Sequence, residues 1–283
     1  LFVVRREDVV MPEKPEVITV SNNLRPRLVG KKITGCNVYW DNIIAYPTTD
    51  EFKKDVIGQK ILDVTTRGKF IKVLLDRDVL LIHLRMEGKF FFRKKNDPIV
   101  KHEHVEFILD DDISFRYHDV RKFGKMYLID KDKVNDVKPL SELGYEFDDS
   151  DLTKKYLYEK LHNKKLPIKT VLLDQSIITG IGNIYDDEIL FRSKISPYRK
   201  SCDISLEECD EIIKNTRLVL IEAIKKGGTT IKSFTSSEGV HGLFQNELLV
   251  HGKKNDKCPV CGSRIEVCRI GGRGTYYCTK CQK

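Results

Sequence analysis

Nothing in this 283-residue sequence is apolar for long enough to cross a membrane as a helix, so no membrane partner is expected. No internal repeat or low-complexity tract stands out, and a repeat array is not expected either. The first ten residues are not expected to be a secretory leader either. Leu1–Val10 has no initiating methionine, is too short for a signal peptide, and carries Arg5, Arg6, Glu7 and Asp8. Residues 1–11 are therefore expected to be an upstream extension, absent from the active protein. Cysteine is sparse up to residue 257, whereas Cys258, Cys261, Cys278 and Cys281 crowd into the last 26 positions. That distribution points to a metal site rather than to a secreted disulfide framework.

What is present is ordinary globular composition, with 33% charged and 40% hydrophobic residues, long enough for two domains or more. The net charge of +8 and the pI near 8.9 suggest a polyanionic partner. After Pro15, Val17, Val20, Leu24 and Leu28 recur at helical spacing until Gly30. Pro26 is expected to kink or shorten that helix. Eight short β-branched and aromatic runs follow, at 32–40, 60–66, 69–75, 79–85, 89–93, 104–109, 113–117 and 125–129. They read as an antiparallel sandwich or barrel. The polar stretch 130–151 reads as a linker. Helices are expected at 152–161, 167–173 and 183–191, and after the capping box Ser205-Leu206-Glu207-Glu208. In that last helix the stripe Cys209, Ile212, Ile213, Thr216, Val219, Leu220, Ala223 and Ile224 reads as core, and Gly227-Gly228 ends it.

Two CxxC pairs, Cys258/Cys261 and Cys278/Cys281, are separated by 16 residues. Four thiolates suit one tetrahedral zinc, and Gly271, Gly272 and Gly274 mark a turn between two strands. Residues 243–283 hold eight basic groups against three acidic ones, so more than half of the net charge lies in the smallest module. Nucleic acid is the partner such a patch favours. Thr179-Gly-Ile-Gly-Asn183 opens a helix, and its amides suit either a phosphate or a plain turn. Arg121-Lys122-Phe123 fits two phosphate-holding cations beside a wedge, and equally a solvated charge pair beside a core Phe. Met86 alone reads as core filler. His102 and His104 alternate along a strand with no third metal ligand nearby. Pro12-Glu13 reads as an ordinary chain start, or as a nucleophile beside a proton donor or acceptor. A chain starting at Pro12 presents a free secondary amine, whose adducts are iminium ions.

As an ordered set these stretches resemble the formamidopyrimidine-DNA glycosylase family, the bacterial repair enzymes for oxidised purines. The resemblance runs from Met11 to Lys283 through Pro12-Glu13, Gly180-Ile-Gly-Asn-Ile-Tyr185, Gly227-Gly-Thr-Thr230 and the terminal Tyr277-Cys-Thr-Lys-Cys-Gln-Lys283. It implies an α+β multidomain fold. An N-terminal helix and an antiparallel β-sandwich form a catalytic domain over 12–135, and a linker occupies 136–150. A helix–two-turn–helix DNA-binding domain spans 151–240, and a zinc-finger β-hairpin spans 241–283. The activity implied is that of a bifunctional glycosylase and abasic-site lyase. It is expected to act as a monomer on damaged double-stranded DNA in the bacterial cytoplasm, with one structural zinc.

By the same resemblance Pro12 is the nucleophile and Glu13 the adjacent acid. Lys69 assists β-elimination, and Arg273 the last elimination step. Met86, Arg121 and Phe123 fill the hole left by the extruded base. His102, Lys164 and Asn183 contact the DNA backbone, and Lys122 stands where a second phosphate-holding arginine is usual. Lys14 replaces an apolar residue, Ile18 a glutamate, and Val250-His-Gly-Lys253 the more usual Val-Tyr-Gly-Arg. Two alternatives remain open. One is the sibling endonuclease VIII, which prefers oxidised pyrimidines; Gly227-Gly-Thr-Thr230, the segment Ser233–Gln245 and the Met86/Arg121/Phe123 set favour the purine branch. The other is a catalytically silent DNA-binding protein, if Pro12 stays internal.

Overall fold

The computed structural model describes residues 11–229 and 242–283. The extension 1–10, Thr230 and most of the segment Ser233–Gln245 lie outside the described residues. The chain divides into two compact units. The first holds residues 11, 12 and Glu16–Ser141. The second holds Glu13–Pro15, Glu142–Thr229 and Gly242–Lys283.

The first unit is a two-sheet sandwich. One sheet has the order β1(Ile33–Val38), β7(Glu103–Leu109), β8(Ile113–His118), β6(Lys89–Lys94). The other runs β2(Ile44–Tyr46), β9(Lys125–Asp130), β5(Asp78–His83), β4(Phe70–Leu75), β3(Ile61–Arg67). All eight expected strands are present. β2 is a ninth, and it pairs parallel with β9 while the other pairs are antiparallel. The core between the sheets is closed by Val17, Val20, Leu24 and Leu28 of helix α1(Lys14–Leu28). Pro26 does not shorten α1. It sits in the last turn, where the Val29 amide still reaches the Arg25 carbonyl, and burial of Leu24 and Leu28 carries the helix past the lost hydrogen bond. A second helix that sequence reading did not find, α2(Thr49–Val56), starts at a capping box of Thr48 and Glu51.

The second unit packs α3(Lys154–Leu161), α4(Ile168–Leu172), α5(Asn183–Arg192) and α6(Leu206–Lys225) against one another. The Ser205 capping box of α6 is formed in both directions, and its stripe is buried up to Ala223. The second half of the expected linker is held in place. Phe147 is buried, and the Arg217 guanidinium donates to the carbonyls of Phe147, Asp149 and Leu152. The unit ends in the hairpin β10(Glu266–Ile270)–β11(Arg273–Tyr277). Its turn residues Gly271 and Gly272 have φ of 55° and 78°, the pair of left-handed conformations that a two-residue hairpin requires. Among the described residues no helix is long and apolar enough to cross a membrane.

Candidate catalytic and nucleic-acid-binding residues

In the second unit, Gly182 precedes the first turn of α5, whose leading amides have no partner within the helix. The loop whose amides suited either a phosphate or a plain turn holds the carboxyl group of Glu13. Glu13 accepts from the amides of Gly182 (2.7 Å), Ile184 (2.8 Å) and Tyr185 (3.4 Å). The positive end of the helix and three N–H donors thus fix an internal carboxyl group, which is 1% exposed. Gly182 must lack a side chain, because a Cβ there would lie 2.3 Å from Glu13 Cδ. The neighbouring Lys14 is buried with its ammonium 2.9 Å from Glu146, and its amide donates to the Gly180 carbonyl.

Asn183, the first residue of α5, donates to the carbonyl of Gly274 in the hairpin at 2.9 Å, and its side-chain oxygen is left without a hydrogen-bond partner. Arg273 is exposed at the start of β11, and Lys164 is half-exposed after α3. The four cysteine sulfurs lie within 4.8 Å of one another, with Cys258–Cys281 at 3.8 Å and Cys261–Cys278 at 3.5 Å. A tetrahedral zinc with bonds near 2.3 Å sets its sulfurs roughly 3.8 Å apart, so the cluster fits a single structural zinc. Cys258 and Cys278 also pack with Phe191 of α5, Val250 and Ile265, which ties the metal site to the helical layer.

In the first unit, Pro12 is buried. Lys69 is buried in the β3–β4 turn, behind Gly68 with φ of 54°. Next to it sequence reading missed His83. Burial, with the Arg85 and Lys69 charges, pushes this imidazole down to about 3, so it stays neutral. Its Nδ1 accepts from the Arg85 amide at 3.0 Å, which leaves Nε2 as the donor. Met86 belongs to the turn between β5 and β6, half-buried and outside the core, so it is not filler. Phe123 is 49% exposed, which rules out a core role.

The loop that carries Arg121, Lys122 and Phe123 is built by Asp119, a second residue that sequence reading missed. Asp119 is fully buried. Its carboxylate accepts from the amides of Arg121 (2.9 Å) and Gly124 (2.8 Å) and from the Tyr117 hydroxyl (3.3 Å). Its own amide donates to the His102 carbonyl, and its carbonyl meets His104 Nε2 at 2.8 Å. At the tip the Arg121 guanidinium lies 4.9 Å from the Phe123 ring centre, and the Lys122 ammonium 3.8 Å from that of Trp40. His102 precedes β7 in a left-handed conformation, φ 73°, with its ring 5.7 Å from that of His118.

Three family models match in order. The formamidopyrimidine-DNA glycosylase N-terminal domain covers residues 11–126, its H2TH domain 143–235, and a zinc finger found in FPG and IleRS 255–283. A formamidopyrimidine-DNA glycosylase of Bacillus cereus is 43% identical over 273 residues, 96% of this chain and 99% of that protein. A Lactococcus lactis FPG mutant, solved with a Fapy-dG containing DNA, superposes with a TM-score of 0.90 at 35% identity over 96% of this chain and 100% of that one. The Lactococcus lactis Fpg complex with abasic-site DNA gives 0.89 at 35% identity, over 96% and 99%.

Proposed function

The chain belongs to the formamidopyrimidine-DNA glycosylase family, and we propose that within it this protein excises oxidised purines from duplex DNA and then cleaves the strand at the resulting abasic site. The observation that carries the reading is the carboxylate of Glu13, fixed by three amides of α5 in the residue directly after Pro12. A proline amine next to an immobilised carboxyl is a nucleophile beside a proton donor. The chemistry requires a free Pro12 nitrogen, so the active form is the chain that starts at Pro12. As a peptide amide that lone pair would be delocalised into a carbonyl.

A base inside the stack cannot be attacked at its sugar, so the nucleotide is extruded first. Met86 and Phe123 fill the gap, and Arg121 meets the base left opposite. Filling the gap offsets a few kcal/mol of unstacking. The Pro12 nitrogen then bonds to C1′ while the bond from C1′ to the base breaks, and the base leaves with a proton from Glu13. The C1′–O4′ bond then breaks, O4′ takes the proton carried by the Pro12 nitrogen, and an iminium is left at C1′. It acidifies the C2′ proton, whose removal expels the 3′ phosphate; Lys69 serves this step. A second elimination, served by Arg273, expels the 5′ phosphate. His102, Lys122, Lys164 and Asn183 hold the backbone. Zinc takes no part in the chemistry and keeps the hairpin folded so that Arg273 is presented. The enzyme works as a monomer on bacterial DNA in the cytoplasm.

The test is single-turnover excision from duplexes carrying 8-oxoguanine, a formamidopyrimidine or an oxidised pyrimidine. The purine-derived lesions should be released at least tenfold faster. A preference for the pyrimidine would transfer the chain to the endonuclease VIII type of activity.

A further inference from the structure

Three consecutive acids, Asp186, Asp187 and Glu188, sit on α5, and all are buried. Two have full sets of donors. Asp187 meets Lys169 Nζ at 2.6 Å, His251 Nδ1 at 2.7 Å and the Tyr276 amide at 3.2 Å. Glu188 accepts from the amides of Leu249, Val250 and His251. Asp186 has none. It is fully buried in the first turn of the helix, one residue beyond Tyr185, and neither carboxylate oxygen has a hydrogen-bond partner.

An ionised carboxylate is very rarely left so, because burial without donors costs far more than protonation. The cation it faces forms only a long ion pair with it. Lys169 on α4 is fully buried and donates to Asp187 and, at 3.2 Å, to the Asn183 carbonyl, while Asp186 Oδ2 lies at 3.6 Å, past hydrogen-bond range. The charged groups acting on Asp186 are Lys169, Asp187 and Glu13. Once Glu13 has given up its proton, one lysine would face three carboxylates, and the one without a short donor is the one that stays protonated. Burial above all, with Asp187 and Glu13 outweighing Lys169, pushes its carboxyl up to about 8.

We propose that Asp186 is a positioning residue for Glu13, a buried acid in the helix turn whose amides hold Glu13, and that it sets the field in which Glu13 gives up its proton. The proposal rests on the reading of Glu13 as the catalytic acid. With Asp186 un-ionised, the Lys169 charge serves Glu13 and Asp187 alone, and the Glu13 anion left after proton donation is stabilised. When Asp186 ionises, a further anion enters the same turn and the donating step becomes unfavourable. Base release should therefore fall at alkaline pH because of Asp186, whereas its fall at acid pH belongs to the Pro12 amine.

The experiment is single-turnover release of 8-oxoguanine from pH 6 to 10 by the chain beginning at Pro12 and by its Asp186→Asn variant. The variant should stay within about twofold of the parent at pH 7, with its alkaline limb displaced upward by at least one pH unit. An unchanged limb, or a tenfold loss at pH 7 in a variant that melts normally, overturns the proposal. Infrared spectroscopy of the parent needs no variant. It should show the carbonyl band of a buried un-ionised acid at pH 7 that disappears above pH 9, and absence of that band overturns the proposal equally. Failure of the underlying reading looks different: the parent then forms no borohydride-trapped adduct at any pH, although the band is present.

Discussion

Removing the Asp119 carboxylate should separate the work of the proposed wedge from that of the proposed nucleophile. The side chain is fully buried and is the acceptor for two backbone amides, at 2.9 and 2.8 Å, and a hydroxyl at 3.3 Å. Each amide bond to a buried carboxylate contributes about 1.5–3 kcal/mol, and the longer hydroxyl bond less. Asp119→Ala leaves all three donors without this acceptor, so a loss of about 3–5 kcal/mol is expected. For a chain of this size that corresponds to a fall in melting temperature on the order of 10 °C. Asp119→Asn keeps the shape and one acceptor but turns an NH2 toward an N–H, and about half of the loss should remain. The readouts are the melting temperature and the ratio of two single-turnover rates, excision of paired 8-oxoguanine and cleavage at a preformed abasic site. Asp119→Asn should depress the first rate at least tenfold and the second less than threefold, because an abasic site needs little unstacking. An Asn variant that melts with the parent and keeps the parent's ratio would refute the view that this carboxylate shapes the wedge loop.

Cys278→Ser should lose its zinc and with it the hairpin's order, whereas serine at Cys36, Cys202, Cys209 or Cys268 should leave one zinc per chain; full zinc and full DNA binding in the Cys278 variant would contradict the cluster's role. Arg273→Ala should weaken duplex binding, lower the slope of log affinity against log salt by about 1, and slow strand cleavage. If the salt slope and the cleavage rate both match the parent, Arg273 has been assigned wrongly. Met86→Ala and Phe123→Ala should lose more activity on paired duplex than on single-stranded or abasic substrates, and equal losses on all of them would indicate a folding defect.

Sequence patterning located most elements because their signals are local. The eight longer strands are β-branched and aromatic, and α6 announces itself by a capping box ahead of a long apolar stripe. β2 is only three residues long. α2 has the same capping pattern as α6 but only Phe52 and Val56 on its buried face, too few for a periodic signal. At the site, the zinc ligands were legible as residue types at a fixed spacing, and the residues proposed as nucleophile and wedge were named only from the ordered set of motifs. Their supports were not, because each depends on partners distant in sequence. Glu13 is held by amides 169 to 172 residues away. Asp119 looks like a turn residue until its three donors are seen. The acids of α5 drew no reading from sequence, because their burial against Lys169, His251 and the chain at 249–251 depends on residues far along the chain.

The central claim is that Pro12 is the nucleophile, and covalent trapping tests it most directly. A chain prepared to begin at Pro12 is incubated with a duplex carrying one 8-oxoguanine opposite cytosine, in the presence of borohydride. The trapped complex is then digested and its peptides are weighed. The account predicts one adduct, with the deoxyribose remnant on the nitrogen of Pro12, and no adduct when residues 1–11 precede it. An adduct on Lys69, or equal trapping by the chain that retains residues 1–11, would contradict it and move the nucleophile to a lysine.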